Sequence, residues 1–236
     1  MAPLRLSLIS GGSILLEGYV DRVDLMETGG ERYVRVVDYK SGGKTFRLSD
    51  VYYGLSLQML VYLFSICENG TGRLEGALPA GVLYLPAKNV IPEMSREADR
   101  EEAARKNRET LKMNGLLLDN LTVVSGMEKE IAGLFIPAKL KKDGSFDAYT
   151  SVAGLAQLAQ LRRHIEGLVI QMGENLRAGK IGAVPTASGG HTPCEWCDFA
   201  AICRRGEAEP ERAVERMSNR EVFERLEEEE SGKIPQ

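Results

Sequence analysis

The sequence predicts an α/β or α+β domain built on a mixed central sheet flanked by helices. Three observations carry this. Residues 4–9 and 14–25 read as strands, and a third run at 32–40, RYVRVVDYK, is rich in β-branched and aromatic residues, the three separated by glycine-bearing turns. An apolar stripe at helical spacing follows over roughly 50–68, with Leu55, Met59, Tyr62, Leu63 and Ile66. A further apolar run, GVLYL at 81–85, ends at Pro86 and reads as a fourth strand. Strand, strand, strand, helix, strand is the order of a mixed sheet with helices packed on it.

Taken in order, Gly11, Gly12 and Ser13 form a hairpin turn between the first two strands, and Glu27 to Gly30 form the next. The chain is therefore expected to open as an antiparallel meander in which residues 14–25 run straight through as one strand. Ser41 to Gly43 end the third strand, and Ser49 or Asp50 caps the helix of 50–68. Residues 94–113 read as a solvated helix whose Arg96, Arg100, Arg105, Lys106, Arg108 and Lys112 alternate with glutamates in i,i+4 ion pairs; a DNA-facing helix is the alternative. Residues 115–150 read as irregular, and 151–179 as one long helix ending at Gly179, with His164 on its surface. A loop over 183–193 precedes a cysteine-rich stretch. A charged helix of about 218–229 then runs into an acidic end, EEEE, expected to fray.

The chain has 236 residues, 43% hydrophobic and 27% charged, which suffices for one large domain with its own core. No stretch approaches the roughly 18 apolar residues of a transmembrane helix, and the N-terminus lacks the apolar core of a signal peptide. A cytoplasmic location is the expectation. The net charge of −4 lacks the basic excess of a free-standing duplex binder, although a metal site is itself acidic and one member of a larger complex can leave DNA grip to its partners.

The chemistry concentrates in Gly18-Tyr-Val-Asp21-Arg-Val-Asp24 and Val36-Val-Asp38-Tyr39-Lys40-Ser-Gly42. Alternation along a strand puts Asp38 and Lys40 on one face, and antiparallel pairing brings Asp21 alongside. Two carboxylates and the Tyr39 carbonyl suit a hard cation such as Mg²⁺ or Mn²⁺, and the lysine can orient water and stabilise charge on a phosphate. Asp-x-Lys alone is more often an exposed charge pattern. Here Asp38 follows Val36-Val37 at the end of a buried strand, where an unpaired charge is costly. Glu17, four residues before Asp21, is an auxiliary candidate. Asp24 points away from Asp21 and reads as a partner of Arg22 or a neighbouring basic residue.

The run GYVDRVD, then VVDYKSG, then GLSLQMLVYL resembles the RecB-type nucleases of the PD-(D/E)xK superfamily, whose pattern is G-x-x-D, D-Y-K-S and Q-x-x-x-Y. The resemblance implies a restriction-endonuclease-like core. It implies Asp21, Asp38 and the Tyr39 carbonyl as metal ligands and Lys40 as the catalytic lysine, with Gln58 and Tyr62 beside the site.

Three of the four cysteines, Cys194, Cys197 and Cys203, fall in C-x2-C-x5-C. Clustering of this kind suits a metal centre in a reducing compartment rather than a disulfide scaffold. Zinc could take the three thiolates with His191, whereas a 4Fe-4S cluster needs a fourth cysteine. The same spacing after a nuclease domain resembles the AddB subunits of AddAB helicase–nucleases and the Cas4-type exonucleases. KMNGLLLDN, KLKKDGSF and PCEWCDFAAICR resemble the AddB group further. This implies an exonuclease acting on single-stranded DNA ends in recombinational break repair, with an AddA-type helicase–nuclease partner and a cluster bound through Cys194, Cys197 and Cys203. No cysteine precedes the first strand here, so a fragment lacking the N-terminal helix and first cysteine is expected. Its cluster site would be empty or zinc-filled. Cys67 reads as a core cysteine, and Trp196 as packed over the centre. Residues 1–206 form the nuclease domain in this reading and 207–236 a charged helix and tail. The alternatives are a non-catalytic DNA-binding scaffold, against which the intact Asp21, Asp38 and Lys40 speak, and a Cas4-like free-standing exonuclease.

Overall fold

A computed structural model of the chain describes residues 3–42, 44–87, 99–188, 190–203 and 210–232. Contacts divide it into two units, one holding residues 1–5, 15–46 and 56–163, the other residues 6–14, 47–55 and 164–236. Among the described residues no helix is long and apolar enough to cross a membrane.

The opening is not one continuous meander. β1 (Leu4–Ser7) and β2 (Ser13–Leu16) pair as a separate two-stranded sheet around the expected Gly11–Gly12 turn. Residues 17–21 then leave the extended ladder before β3 (Arg22–Thr28) begins. β3 turns at Gly29–Gly30 into β4 (Glu31–Lys40), antiparallel, with Thr28 opposite Glu31 and Arg22 opposite Val37. Val34, Val36 and Val37 are fully buried along β4, and burial continues to Asp38.

The predicted helix of 50–68 is two helices. α1 (Leu48–Tyr52) starts after Arg47 with no side-chain cap, so neither Ser49 nor Asp50 is the N-cap; Ser49 is buried within the first turn. The break comes at Gly54, with φ of 80°, a left-handed conformation that ends a helix and that glycine adopts without steric cost. α2 (Gln58–Asn69) follows, and every residue from Met59 to Ile66 is buried as the helix packs on β4 and on β5 (Leu78–Pro86). β5 contains the expected 81–85 strand and runs parallel to β4.

α3 (Arg100–Thr110) lies within the predicted charged helix of 94–113 and carries the expected pairs, Arg105 with Glu109 at 3.0 Å and Lys106 with Glu102 at 3.7 Å. Arg96 lies outside the described residues. The 115–150 stretch is more regular than expected. β6 (Asn114–Leu118) pairs antiparallel to β5, and α4 (Leu121–Met127) starts at Asn120, whose side chain accepts the Val123 N–H at 3.1 Å. The short apolar run of β6 is a strand because the sheet supplies it a partner. β7 (Val152–Ala153) adds the last strand, parallel to β6, and gives the five-stranded mixed order β3-β4-β5-β6-β7. Val37, Leu83, Leu117, Val124, Ile131 and Ile136 form one core cluster of the first unit. The buried Glu128 carboxylate accepts the backbone N–H groups of Leu134, Phe135 and Ile136 at 3.1, 2.9 and 3.2 Å and holds that loop.

α5 (Leu155–Arg177) is shorter than the expected 151–179, because β7 takes up Val152 and Ala153, and it stops two residues before Gly179, whose N–H reaches the Leu176 carbonyl. The predicted 183–193 loop contains a two-residue strand, β8 (Thr186–Ala187), which is paired with β9 (Arg212–Ala213) beyond a short helix α6 (Ala200–Cys203). α7 (Asn219–Glu230) is capped by Ser218 with Glu221 in a capping box. Two expectations fail in this second unit. His164 is not a surface residue: its ring stacks on Tyr52 at 5.0 Å and 7°, and Nε2 lies 2.9 Å from the Tyr52 carbonyl. The EEEE end does not fray, because Glu229 accepts the Tyr52 hydroxyl and lies 3.5 Å from His164 Nδ1, which anchors the last turn of α7.

Candidate active site

Asp38, Tyr39 and Lys40 are the last three residues of β4, where the buried strand reaches solvent. Asp38 is 9% exposed and Tyr39 43%, so the change from core to surface falls between them. Alternation aligns Asp38 and Lys40 as expected, and Lys40 Nζ forms an ion pair with Asp38 Oδ2. That oxygen is buried, and among the described residues no donor meets it with hydrogen-bond geometry. The Lys40 ammonium also lies 5.4 Å from the centroid of the Tyr84 ring, directly across the sheet from Asp38.

Asp21 is not on a strand, as alternation had implied, but at a bend immediately before β3. It nonetheless lies next to the end of β4. The ladder's last step pairs Arg22 with Val37, so Asp21 falls beside Asp38, and its Oδ2 accepts the Tyr39 N–H at 3.1 Å. One backbone amide thus ties the loop carboxylate to the strand carrying the second.

The Gln58/Tyr62 pair also comes to this loop. Gln58 Nε2 donates to the Tyr62 hydroxyl at 2.9 Å, and the Tyr62 ring lies against the backbone of Gly18, three residues before Asp21. Asp24 faces the other way, as predicted, bound by Arg22 Nε at 2.7 Å and Arg35 Nε at 3.1 Å. Burial opposes its charge, but the two guanidiniums outweigh this and hold the carboxyl below its usual range. Glu17 is exposed, and no group of three His, Cys, Asp or Glu side chains converges among the described residues.

Two carboxylates, one with a buried oxygen short of donors, beside a backbone carbonyl, suit a hard divalent cation. Residues that spacing did not single out complete the surroundings. Tyr84 lies under both Lys40 and Lys44, each 5.4 Å from its centroid, and Asn114 accepts the Phe46 N–H at 2.5 Å, fixing the segment that leaves β4. The available signal for Tyr84 is its parity within the GVLYL strand.

The cysteine segment belongs to the second unit. Cys194 lies in a short 3-10 turn, Cys197 follows it, and Cys203 ends α6; all are free thiols, Cys197 and Cys203 exposed. Their donor chemistry suits a soft metal or an iron–sulfur centre, but the three do not converge as placed. His191 is turned to Glu195, with Nδ1 3.1 Å from its carboxylate. Trp196 is 75% exposed, with its ring 6.5 Å from that of His191. Cys67 lies partly buried on α2, and burial pushes its thiol up to about 12.

The PD-(D/E)XK nuclease superfamily matches residues 2–204. Over 233 residues the chain is 37% identical to the B-type subunit of the ATP-dependent helicase/deoxyribonuclease of Clostridium acetobutylicum, covering 96% of this chain and 20% of that protein. The equivalent proteins of Symbiobacterium thermophilum, 37% identical over 231 residues, and Clostridium novyi, 39% over 230, are covered to the same 20%. The chain therefore spans about a fifth of the length of the curated relatives it matches.

Proposed function

Because the chain belongs to the PD-(D/E)XK nuclease superfamily, we propose that it is the metal-dependent DNA exonuclease part of an ATP-dependent helicase/deoxyribonuclease, carried on the B-type subunit. Its substrate in this reading is the single strand at a DNA end, its partner an AddA-type helicase–nuclease subunit, and its process recombinational break repair. The setting is cytoplasmic, in keeping with free thiols.

The observation that carries the reading is Asp38 Oδ2, a buried carboxylate oxygen that has the Lys40 ion pair but, among the described residues, no partner in hydrogen-bond geometry, on the strand whose Tyr39 N–H binds Asp21. Asp21, Asp38 and the Tyr39 carbonyl would hold Mg²⁺ or Mn²⁺. When bound, the ion supplies a Lewis acid for the phosphate and a nucleophilic water. Lys40 donates from the same sheet face to the phosphate oxygens as charge builds on them. Tyr39 N–H fixes the Asp21 carboxylate, and the Gln58–Tyr62 pair holds the loop that carries it. Hydrolysis joins the water oxygen to phosphorus and releases a sugar hydroxyl.

The test is Asp38→Ala, which is expected to abolish Mg²⁺-dependent cleavage of single-stranded DNA by the full complex while the domain stays folded by circular dichroism. Cleavage at the parent rate rejects the assignment. For the cysteines, the proposal is a 4Fe-4S cluster in the full-length protein, to which Cys194, Cys197 and Cys203 supply three of the four thiolates, supported by their spacing and thiolate chemistry. No step of the cleavage reaction depends on it. Iron and sulfide analysis of anaerobically purified full-length protein reads it directly, and stoichiometric zinc without iron contradicts it.

A further inference from the structure

A second feature lies on the same sheet face as the candidate carboxylates. Asp38 pairs across the sheet with Tyr84, and Tyr84 with Asn114. Residues directly opposite in neighbouring strands point to one face, and two strand spacings carry this row about 10 Å from Asp38. Asn114 ends the row and lines an open cleft of about 560 Å³ with Lys112, Pro137, Lys139, Tyr149 and Thr150.

We propose that this cleft is a binding site for the backbone and bases of a single-stranded polynucleotide, continuous with the row that ends at Asp38. Lys112 and Lys139 take phosphates, and Tyr149 stacks on a base. The identity of the ligand rests on the nuclease reading above.

Three observations support it. The first is charge. The whole chain is net acidic at −4, and Lys106 and Arg105 of α3 are neutralised by Glu102 and Glu109. Lys112 and Lys139 are exposed and form no ion pair with a described residue, and Lys44, over Tyr84, continues the basic strip toward Lys40. The carboxylate in the cleft, Asp147, is engaged by the Tyr149 N–H at 2.9 Å. The second is the exposed ring. Tyr149 is 97% exposed, and an aromatic face beside unpaired lysines is the combination that binds single strands without reading sequence. The third is rigidity. Thr150 Oγ1 accepts the Lys139 N–H at 3.0 Å and donates to its carbonyl at 3.1 Å, and Asn114 Nδ2 donates to the Lys44 carbonyl at 3.4 Å. The backbone on both sides is thus set before any ligand arrives.

The experiment measures anisotropy of a fluorescein-labelled oligothymidylate bound to the full chain, with Ca²⁺ replacing Mg²⁺ to suppress cleavage, across a series of KCl concentrations. The double variant Lys112→Ala/Lys139→Ala is expected to weaken binding about tenfold and to reduce the slope of log K against log salt by about 1.4, two phosphates at about 0.7 each. Tyr149→Ala is expected to weaken oligothymidylate binding about tenfold while leaving an abasic oligomer of equal length unchanged, and Tyr149→Phe to retain parent affinity. These side chains are exposed, so the fold is not at stake. An unchanged salt slope in the double variant, or equal weakening of both oligomers by Tyr149→Ala, overturns the proposal. The nuclease reading fails separately: Asp38→Ala cleaving normally would sink it while leaving these binding results intact.

Discussion

The Tyr62 ring lies against the backbone of Gly18, so that a Cβ at position 18 would come within 2.7 Å of the ring's Cζ. That spacing is closer than real carbon contacts permit, which gives the glycine of the G-x-x-D stretch a packing role. It also links α2 to the loop that presents Asp21. Gly18→Ala is predicted to cost about 1–3 kcal/mol, the usual penalty for overpacking, and to lower cleavage further by displacing Asp21. Urea unfolding and single-stranded DNA cleavage measured together check this. Parent stability in Gly18→Ala would show that the ring does not rest there.

Asp24 separates structural from chemical carboxylates. Asp24→Ala removes the anion shared by Arg22 and Arg35 and is predicted to cost about 1 kcal/mol with cleavage unchanged. Because its folded pKa is depressed, this stabilisation is present above the ordinary Asp value of about 3.9 and disappears as pH falls through the lower folded value. A loss of cleavage as severe as that of Asp38→Ala would place Asp24 in the active site instead.

Glu128 makes a stronger pH-dependent contribution. Burial disfavours its charge, but the N–H groups of Phe135, Leu134 and Ile136 together outweigh this and lower its pKa. Glu128→Ala leaves three donors without their acceptor and is predicted to cost about 3 kcal/mol at neutral pH. The gap between parent and variant is expected to be complete above the ordinary Glu value of about 4.3 and to narrow as pH falls below it. Denaturation curves at neutral and acidic pH measure the gap, and a gap that widens in acid contradicts the account.

Much of the site was legible because strand alternation is a strict period. Val36-Val37 buries β4, and Asp38 and Lys40 then share a face whatever surrounds them. Asp21 was located by its neighbours but assigned to the wrong kind of element, since the apolar pattern of 14–25 hides the break at 17–21 that only pairing reveals. The hydrophobic period likewise runs through Gly54 and Ser56 without registering their left-handed backbone. β6 was missed because its apolar residues are few and its burial comes from β5 alongside. Flanking arginines made His164 look like surface, whereas Tyr52, more than a hundred positions away, covers its ring. Contacts of that separation leave no local trace in a sequence.

The central claim is that Asp21, Asp38 and the Tyr39 carbonyl together hold a divalent cation. The most direct measurement is anomalous diffraction from crystals of the protein soaked in Mn²⁺. One strong peak is expected at direct coordination distance, about 2–2.5 Å, from an oxygen of each of the three, with its loss in Asp38→Ala. An Mn²⁺ peak elsewhere in a protein that still cleaves DNA, with none at Asp21 and Asp38, would contradict it.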